Sequence, residues 1–245
     1  ESVAAAAVFD NVADNCVAPD DLVARALFQS GRRQLDTRDA PRAIARFEEL
    51  QRRFPQHRLA DDARLKSANA YLELGSESKF VDLGLRMADD YPEGDQVPEG
   101  LFLLALRRML KSDWSGAASV LATLGQLPRI TNHDDPEQTE RQQYFAARAQ
   151  LEQGQTEQAL SAFEALVRQR PFSYYMLLAN SRLSELDPVR AQRARGTGDS
   201  GPSSSPFELP FRTELREPGF TRAMELMALG EMDAAGAELR AMRLP

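Results

Sequence analysis

Two tyrosines stand side by side in RQRPFSYYMLLANSRLSEL, residues 168–186. Such a pair can stack on the face of a sugar or a base, or it can be the buried start of a helix. Tyr174 and Tyr175 therefore head the candidates for ligand contact. Trp114 joins them, because an indole can lie against a sugar as readily as it packs in a helix turn. Arg107 and Arg108 could meet an anionic glycan or an acidic partner, and otherwise form a solvated helix face paired with nearby acids, like Arg32-Arg33 and Arg52-Arg53. His133 lies in NHDDPE beside Asp134, Asp135 and Glu137, and His57 follows a proline; neither has a second histidine or cysteine spaced to complete a metal shell. Cys16 is the single cysteine and has no basic partner close in sequence, so it reads as a structural thiol. No glycine-rich phosphate loop or dinucleotide fingerprint is present. The residues thus predict no catalytic group, no metal and no cofactor, with Tyr174, Tyr175, Trp114, Arg107 and Arg108 as candidate contacts to a glycan or partner.

The elements that must position these residues are helical. Of 245 residues, 27% are charged and only 7% aromatic, and runs of β-branched residues are nearly lacking. That balance favours helices throughout. The net charge of -7, with both signs interspersed, argues against a nucleic-acid partner. No stretch approaches the length needed to cross a bilayer. ESVAAAAVFD, at residues 1–10, has a short apolar run without a basic flank, unlike a signal peptide.

The chain also repeats itself. Residues 27–55 read LFQSGRRQLDTRDAPRAIARFEELQRRFP, and residues 143–171 read QYFAARAQLEQGQTEQALSAFEALVRQRP. Ala43, Phe47 and Pro55 fall in the same register as Ala159, Phe163 and Pro171, the second half of a tetratricopeptide pattern. Looser copies cover 64–92 and 105–128, and another runs from Ala223 through Gly230 to Leu239. Ala43, Phe80, Ala117 and Ala159 recur 37, 37 and 42 residues apart. Ala235 follows after about two repeat lengths, so a degenerate unit is expected between 172 and 212. Small residues let paired helices approach, the phenylalanine fills the groove to the next unit, and proline stops the second helix. The expected fold is all-α, a right-handed superhelix (α-solenoid) of five to six tetratricopeptide-like hairpins. Its parts would be repeats over 1–192, a Gly/Ser/Pro-rich loop over 193–212, and a last hairpin over 213–245.

Within that frame, Pro171, Ser173, Tyr174, Tyr175, Leu178, Ala179, Arg182 and Leu183 match the form Pro-x-Ser-Tyr-Tyr-Gly-x-Leu-Ala-x-x-Arg-Leu, with Met176 in place of the glycine. This resembles the helical domain of soluble lytic murein transglycosylases, and RAMELMALGEMDAAGAELRAM, residues 222–242, resembles that family's last hairpin before its catalytic domain. The family cleaves MurNAc–GlcNAc bonds with a glutamate in Glu-Ser-x-Phe, followed by Gly-Leu-Met-Gln. Glu77 to Phe80 read ESKF and Gly84 to Met87 read GLRM, but the gap between them is too short and Glu77 falls in an inter-helix turn open to water. A general acid needs an apolar pocket instead. The resemblance thus implies a non-catalytic scaffold of the periplasm or cell envelope, holding peptidoglycan or a peptide partner in its concave groove for a catalytic domain beyond residue 245. The first three repeats look equally like periplasmic scaffolds that assemble outer-membrane or envelope complexes, which keeps a second expectation open: a tetratricopeptide protein-interaction scaffold with no enzyme attached.

Overall fold

The computed structural model describes residues 2–15, 17–127, 136–169, 173–196, 217–228 and 231–242, and every regular element among them is an α-helix. The chain divides into two compact units, Glu1–Gly198 and Asp199–Pro245. The first opens with α1 (Ser2–Asn15) and continues as a series of hairpins. These pair α2 (Asp20–Asp36) with α3 (Ala40–Arg53), and α4 (Ala60–Glu73) with the broken second helix α5 (Glu77–Leu85) and α6 (Met87–Asp90). Next come α7 (Val97–Leu110) with α8 (Trp114–Gln126), and α9 (Pro136–Glu152) with α10 (Thr156–Gln169). The interval expected to hold a degenerate unit contains α11 (Tyr174–Leu186) and the short α12 (Pro188–Ala194). The second unit holds the hairpin α13 (Pro218–Ala228) and α14 (Met232–Ala241). Within each unit, helices next to each other in sequence pack on each other, as in a tetratricopeptide-like solenoid.

The repeat is written into the backbone as well as the side chains. Arg38, Gly75, Ser112 and Gly154 each end the first helix of a hairpin with positive φ, at 61°, 75°, 59° and 77°. The next amide in each case donates back to a carbonyl five residues earlier: Asp39 to Gln34, Ser76 to Tyr71, Asp113 to Arg108 and Gln155 to Gln150, at 2.8–2.9 Å. This left-handed stop satisfies otherwise orphaned carbonyls and turns the chain into the second helix. Asp39 and Asp113 then cap the new helix, accepting from the amides of Arg42 and Gly116.

Burial follows the same period. Ala43, Phe80, Ala117, Ala159 and Ala235 are all at most 2% exposed. Phe47 and Phe163 are fully buried. At Gly31 the fit is so close that a methyl group would lie 2.6 Å from the Phe47 ring, so only glycine lets α2 and α3 meet there. Helix α1 is held by charge. Arg46 of α3 reaches Asp10 at 2.9 Å and Asp14 at 2.6 Å, while Asp10 accepts a 2.5 Å hydrogen bond from the buried Ser30 hydroxyl.

Candidate functional site

The tyrosine pair opens α11. Ser173 caps it by accepting from the Met176 amide at 3.1 Å. The buried stripe is Tyr175, Met176, Ala179 and Leu183, whereas Tyr174 is 62% and Leu177 56% exposed. Of the two tyrosines, then, only Tyr175 is part of a buried helix start. The stripe runs through Tyr175 because α11 lies against α9, where Tyr144 receives the Tyr175 ring at 5.9 Å between centroids. Pro171, expected to stop the preceding helix, lies outside the described residues.

Tyr144 belongs to a ladder of rings. Its centroid is 5.3 Å from Phe145, and Phe145 meets Phe102 of α7 edge-on at 5.2 Å. The first helices of three successive hairpins are therefore joined by aromatic contacts. Tyr174 stands at the open end, edge-on to Tyr175 at 5.1 Å. At the other end the Arg141 guanidinium lies 3.9 Å over Phe102 and donates to Glu99 at 2.7 Å. Burial pushes the Tyr175 phenol above its usual value, so it remains a neutral donor at physiological pH.

The remaining sequence candidates sit elsewhere. Trp114 starts α8 and packs, partly buried, beside the core around Phe80; its carbonyl accepts from Gln153 at 3.4 Å. Gln153 lies beyond the far end of α9 from Tyr144, about 13 Å away along the axis, so the indole and the tyrosine pair form no common site. Arg108 donates to Asp113 at 3.2 Å and Arg107 to Glu77 at 3.1 Å. Lys111 also donates to Glu77. The Lys111 hydrogen bond, seconded by Arg107, holds the Glu77 carboxyl below its usual value. Glu77 is thus kept ionised, the reverse of what a general acid requires. His57 links the turn after α3 to α2, meeting Asp21 at 3.1 Å and accepting from the Leu59 amide at 3.2 Å. Cys16, His133, Asp134, Asp135 and the 197–216 part of the Gly/Ser/Pro-rich segment lie outside the described residues.

Two clusters were not legible in the sequence. In the first, one carboxylate oxygen from each of Asp61, Asp62 and Asp95 lies within 4.8 Å of the other two. Asp61 is 3% exposed and accepts from the Gln96 amide at 2.8 Å, tying the start of α4 to the turn before α7. Burial raises both carboxyls of α4, and with the charges of Asp61 and Asp95 added it brings Asp62 to about 6. The second is a cavity of about 370 Å³ bordered by Gln51 and Arg52 near the end of α3, Arg64 of α4, and Asp90 with Tyr91 at the end of α6. The Arg64 guanidinium lies 4.9 Å from the centre of the Tyr91 ring, and its Nε donates to Gln51 at 2.6 Å. Asp90 forms an ion pair with Nη1 at 2.9 Å. The Asp61-Asp62 pair is visible in the chain, but Asp95 and Gln96, which meet it, come from the turn before α7 in the next repeat.

Comparison with known proteins revises the family. The model of the outer membrane lipoprotein family YfiO matches residues 20–194. No curated protein matches the chain. Among solved structures, TPR-like repeats of a Podosopora anserina kinesin light chain are 17% identical with a TM-score of 0.49, covering 93% of this chain and 97% of that one. A variant of the same protein is 18% identical, again with a TM-score of 0.49, covering 91% and 99%. The likeness to lytic transglycosylases is overturned: the YfiO match takes in Pro171 to Leu183, the first of the two stretches that carried it, and leaves only residues 222–242 beyond its end. A proline stop, a serine cap and an apolar helix start are what any stack of helical hairpins needs, so their recurrence carries no sugar chemistry. The parent enzyme and the peptidoglycan ligand inferred from that likeness fall with it, while the envelope location stands on the new family. From residue 20 to residue 194, then, the chain belongs to the YfiO family of outer membrane lipoproteins, and its fold is a tetratricopeptide-like stack of helical hairpins in the cell envelope.

Proposed function

We propose that this chain is a non-catalytic scaffold that holds a protein partner of the envelope along the face formed by its first helices. One observation carries the reading: the aromatic ladder through α7, α9 and α11 ends in Tyr174, 62% exposed beside the exposed Leu177. Tyrosine offers a large contact area, little rotamer entropy to lose, and a hydroxyl that tolerates water, which is why it is enriched in protein interfaces. Its ring is preset by the edge-on contact with Tyr175, so docking costs little further ordering. The ion-paired Glu77 supports the absence of hydrolytic chemistry at the one motif that suggested it.

A photo-crosslinking residue tests this. Placed at Tyr174 in the protein within intact envelopes, it should give a discrete adduct with an envelope protein identifiable by mass spectrometry. The same residue at Arg42 of α3, whose side chain is 79% exposed, should not. Equal adducts at both positions, or none at Tyr174, would refute the assigned face.

A further inference from the structure

We propose that the last hairpin, α13 with α14, is a docking surface for a basic amphipathic helix of a protein partner. The hairpin lies beyond residue 194, where the family match ends. Its own core is slight, since among its described residues only Ala223 and Ala235 are buried. Helices of 11 and 10 residues, the lengths of α13 and α14, are too short to stand alone in water, and two alanines bury little apolar area between them. Such a pair is completed by a further apolar surface packed against it.

The open surface is one flank of the pair. Arg222 of α13 donates to Glu238 of α14 at 2.9 Å, which makes the first flank polar. Counted at about 100° per residue, Phe220, Met224 and Met227 fall within about 60° of one another, on the far side of Ala223 from Arg222. On α14, Met232 and Leu239 likewise lie on the far side of Ala235 from Glu238. Antiparallel helices that share one flank through an ion pair also share the other, so these five side chains form a single apolar strip. Three of them face solvent: Met232 is 62%, Met224 39% and Met227 38% exposed.

Shape and charge together set the partner. A strip two helices wide offers the groove into which the ridge of a third helix fits. Methionine suits such a surface, because its unbranched thioether adapts to apolar side chains of different shape. Met232, the most exposed of the three, stands between Glu231 and Asp233, neither of which has an ion-pair partner among the described residues. Over residues 217–242, Glu217, Glu225, Glu231, Asp233 and Glu238 are set against Arg222 and Arg240, which leaves three surplus negative charges. A second copy of the hairpin or an anionic lipid surface would meet like charge there. Lysine or arginine bordering the apolar face of an incoming helix would be drawn in.

Methyl resonances of methionine in the full chain read the strip directly by NMR, because Met87, Met109 and Met176 are buried in the first unit and serve as internal references. The probe is a helical peptide of about 18 residues with leucine along one face and lysine along the other. One control carries glutamate in place of lysine; a second keeps the lysine peptide's composition but rearranges it so that no apolar face forms. The lysine peptide should shift Met224, Met227 and Met232 saturably and leave the three buried methionines in place, and both controls should bind at least about tenfold more weakly. Glu231→Gln combined with Asp233→Asn should weaken the lysine peptide about three- to tenfold, and Met232→Ser about tenfold. If circular dichroism shows Met232→Ser to be misfolded, the charge variant and the wild-type resonances decide alone. Equal binding of either control, or shifts as large at the buried methionines, would overturn the surface. So would shifts that grow with protein concentration alone, which mean a second copy, or shifts reproduced by phosphatidylglycerol vesicles, which mean lipid. Failure here with a specific Tyr174 adduct would leave the scaffold face intact; binding here without an adduct would do the reverse.

Discussion

Replacing Ser112 by glycine should stabilise the first unit, although it removes a side chain and adds no contact. Ser112 ends α7 with φ at 59°, in the same left-handed stop that Gly75 and Gly154 make in other hairpins. Holding a residue with a Cβ in that region costs roughly 1–2 kcal/mol. Glycine relieves the cost but gives the unfolded chain more freedom, which takes back about 0.4–1 kcal/mol. The net gain is about 0.5–1 kcal/mol, or about 1–4 °C in Tm for a chain of this size. The reverse exchange is equally clean. A methyl group at Gly75 or Gly154 would meet no atom within 4 Å, so Gly75→Ala and Gly154→Ala act through backbone conformation alone and should each cost about 0.5–1 kcal/mol. Ser112→Ala is the control and should leave stability unchanged. Denaturant and thermal melts of the four variants against wild type supply the measurement. A lower Tm in Ser112→Gly, or a higher one in Gly154→Ala, would refute the claim that these turns share one conformation set by the repeat.

Gly31→Ala tests the helix–helix fit. Better helix propensity gains about 1 kcal/mol, but a methyl 2.6 Å from the buried Phe47 ring should cost about 1–3 kcal/mol, and the loss should shrink in a Phe47→Leu background; simple additivity in that double-mutant cycle would argue against the contact. Asp62 should make stability depend on pH in an unusual direction. Its folded value of about 6 lies above the 3.8 of the free group, so the folded state binds the proton more tightly, and stability is highest below about pH 4 and falls as pH rises through 6. The full displacement corresponds to about 3 kcal/mol; partial exposure and the lost carboxylate in the first turn of α4 reduce the gain from Asp62→Asn to about 1 kcal/mol at pH 7.5. The advantage over wild type should vanish at pH 3.5, and a constant advantage across both pH values would rule this cause out.

The family assignment shows where a local pattern misleads. Residues 173–183 combine a helix cap and an apolar start, which are demands of helix geometry and not of a reaction. The envelope location survived the change of family, because the first repeats already looked like scaffolds of outer-membrane complexes. Glu77 likewise looked solvated in its turn. It is instead held by Arg107 and Lys111, 30 and 34 residues further along the chain, and no local spacing marks such a partnership.

The spacing of Ala43, Phe80, Ala117 and Ala159, together with the turns between them, was decided by the chain itself, since helix periods, caps and small residues act over a few neighbours. That two of the left-handed stops fall on Arg38 and Ser112 was hidden, because neither residue type advertises positive φ. Only the stacking of one hairpin on the next determined that Tyr175 is buried while Tyr174 faces solvent, that Asp95 joins Asp61 and Asp62, and that Arg64 meets Gln51 and Asp90 around a cavity. Each depends on the angle at which one rigid helix lies on another, and a turn of one residue, about 100°, exchanges an inward side chain for an outward one.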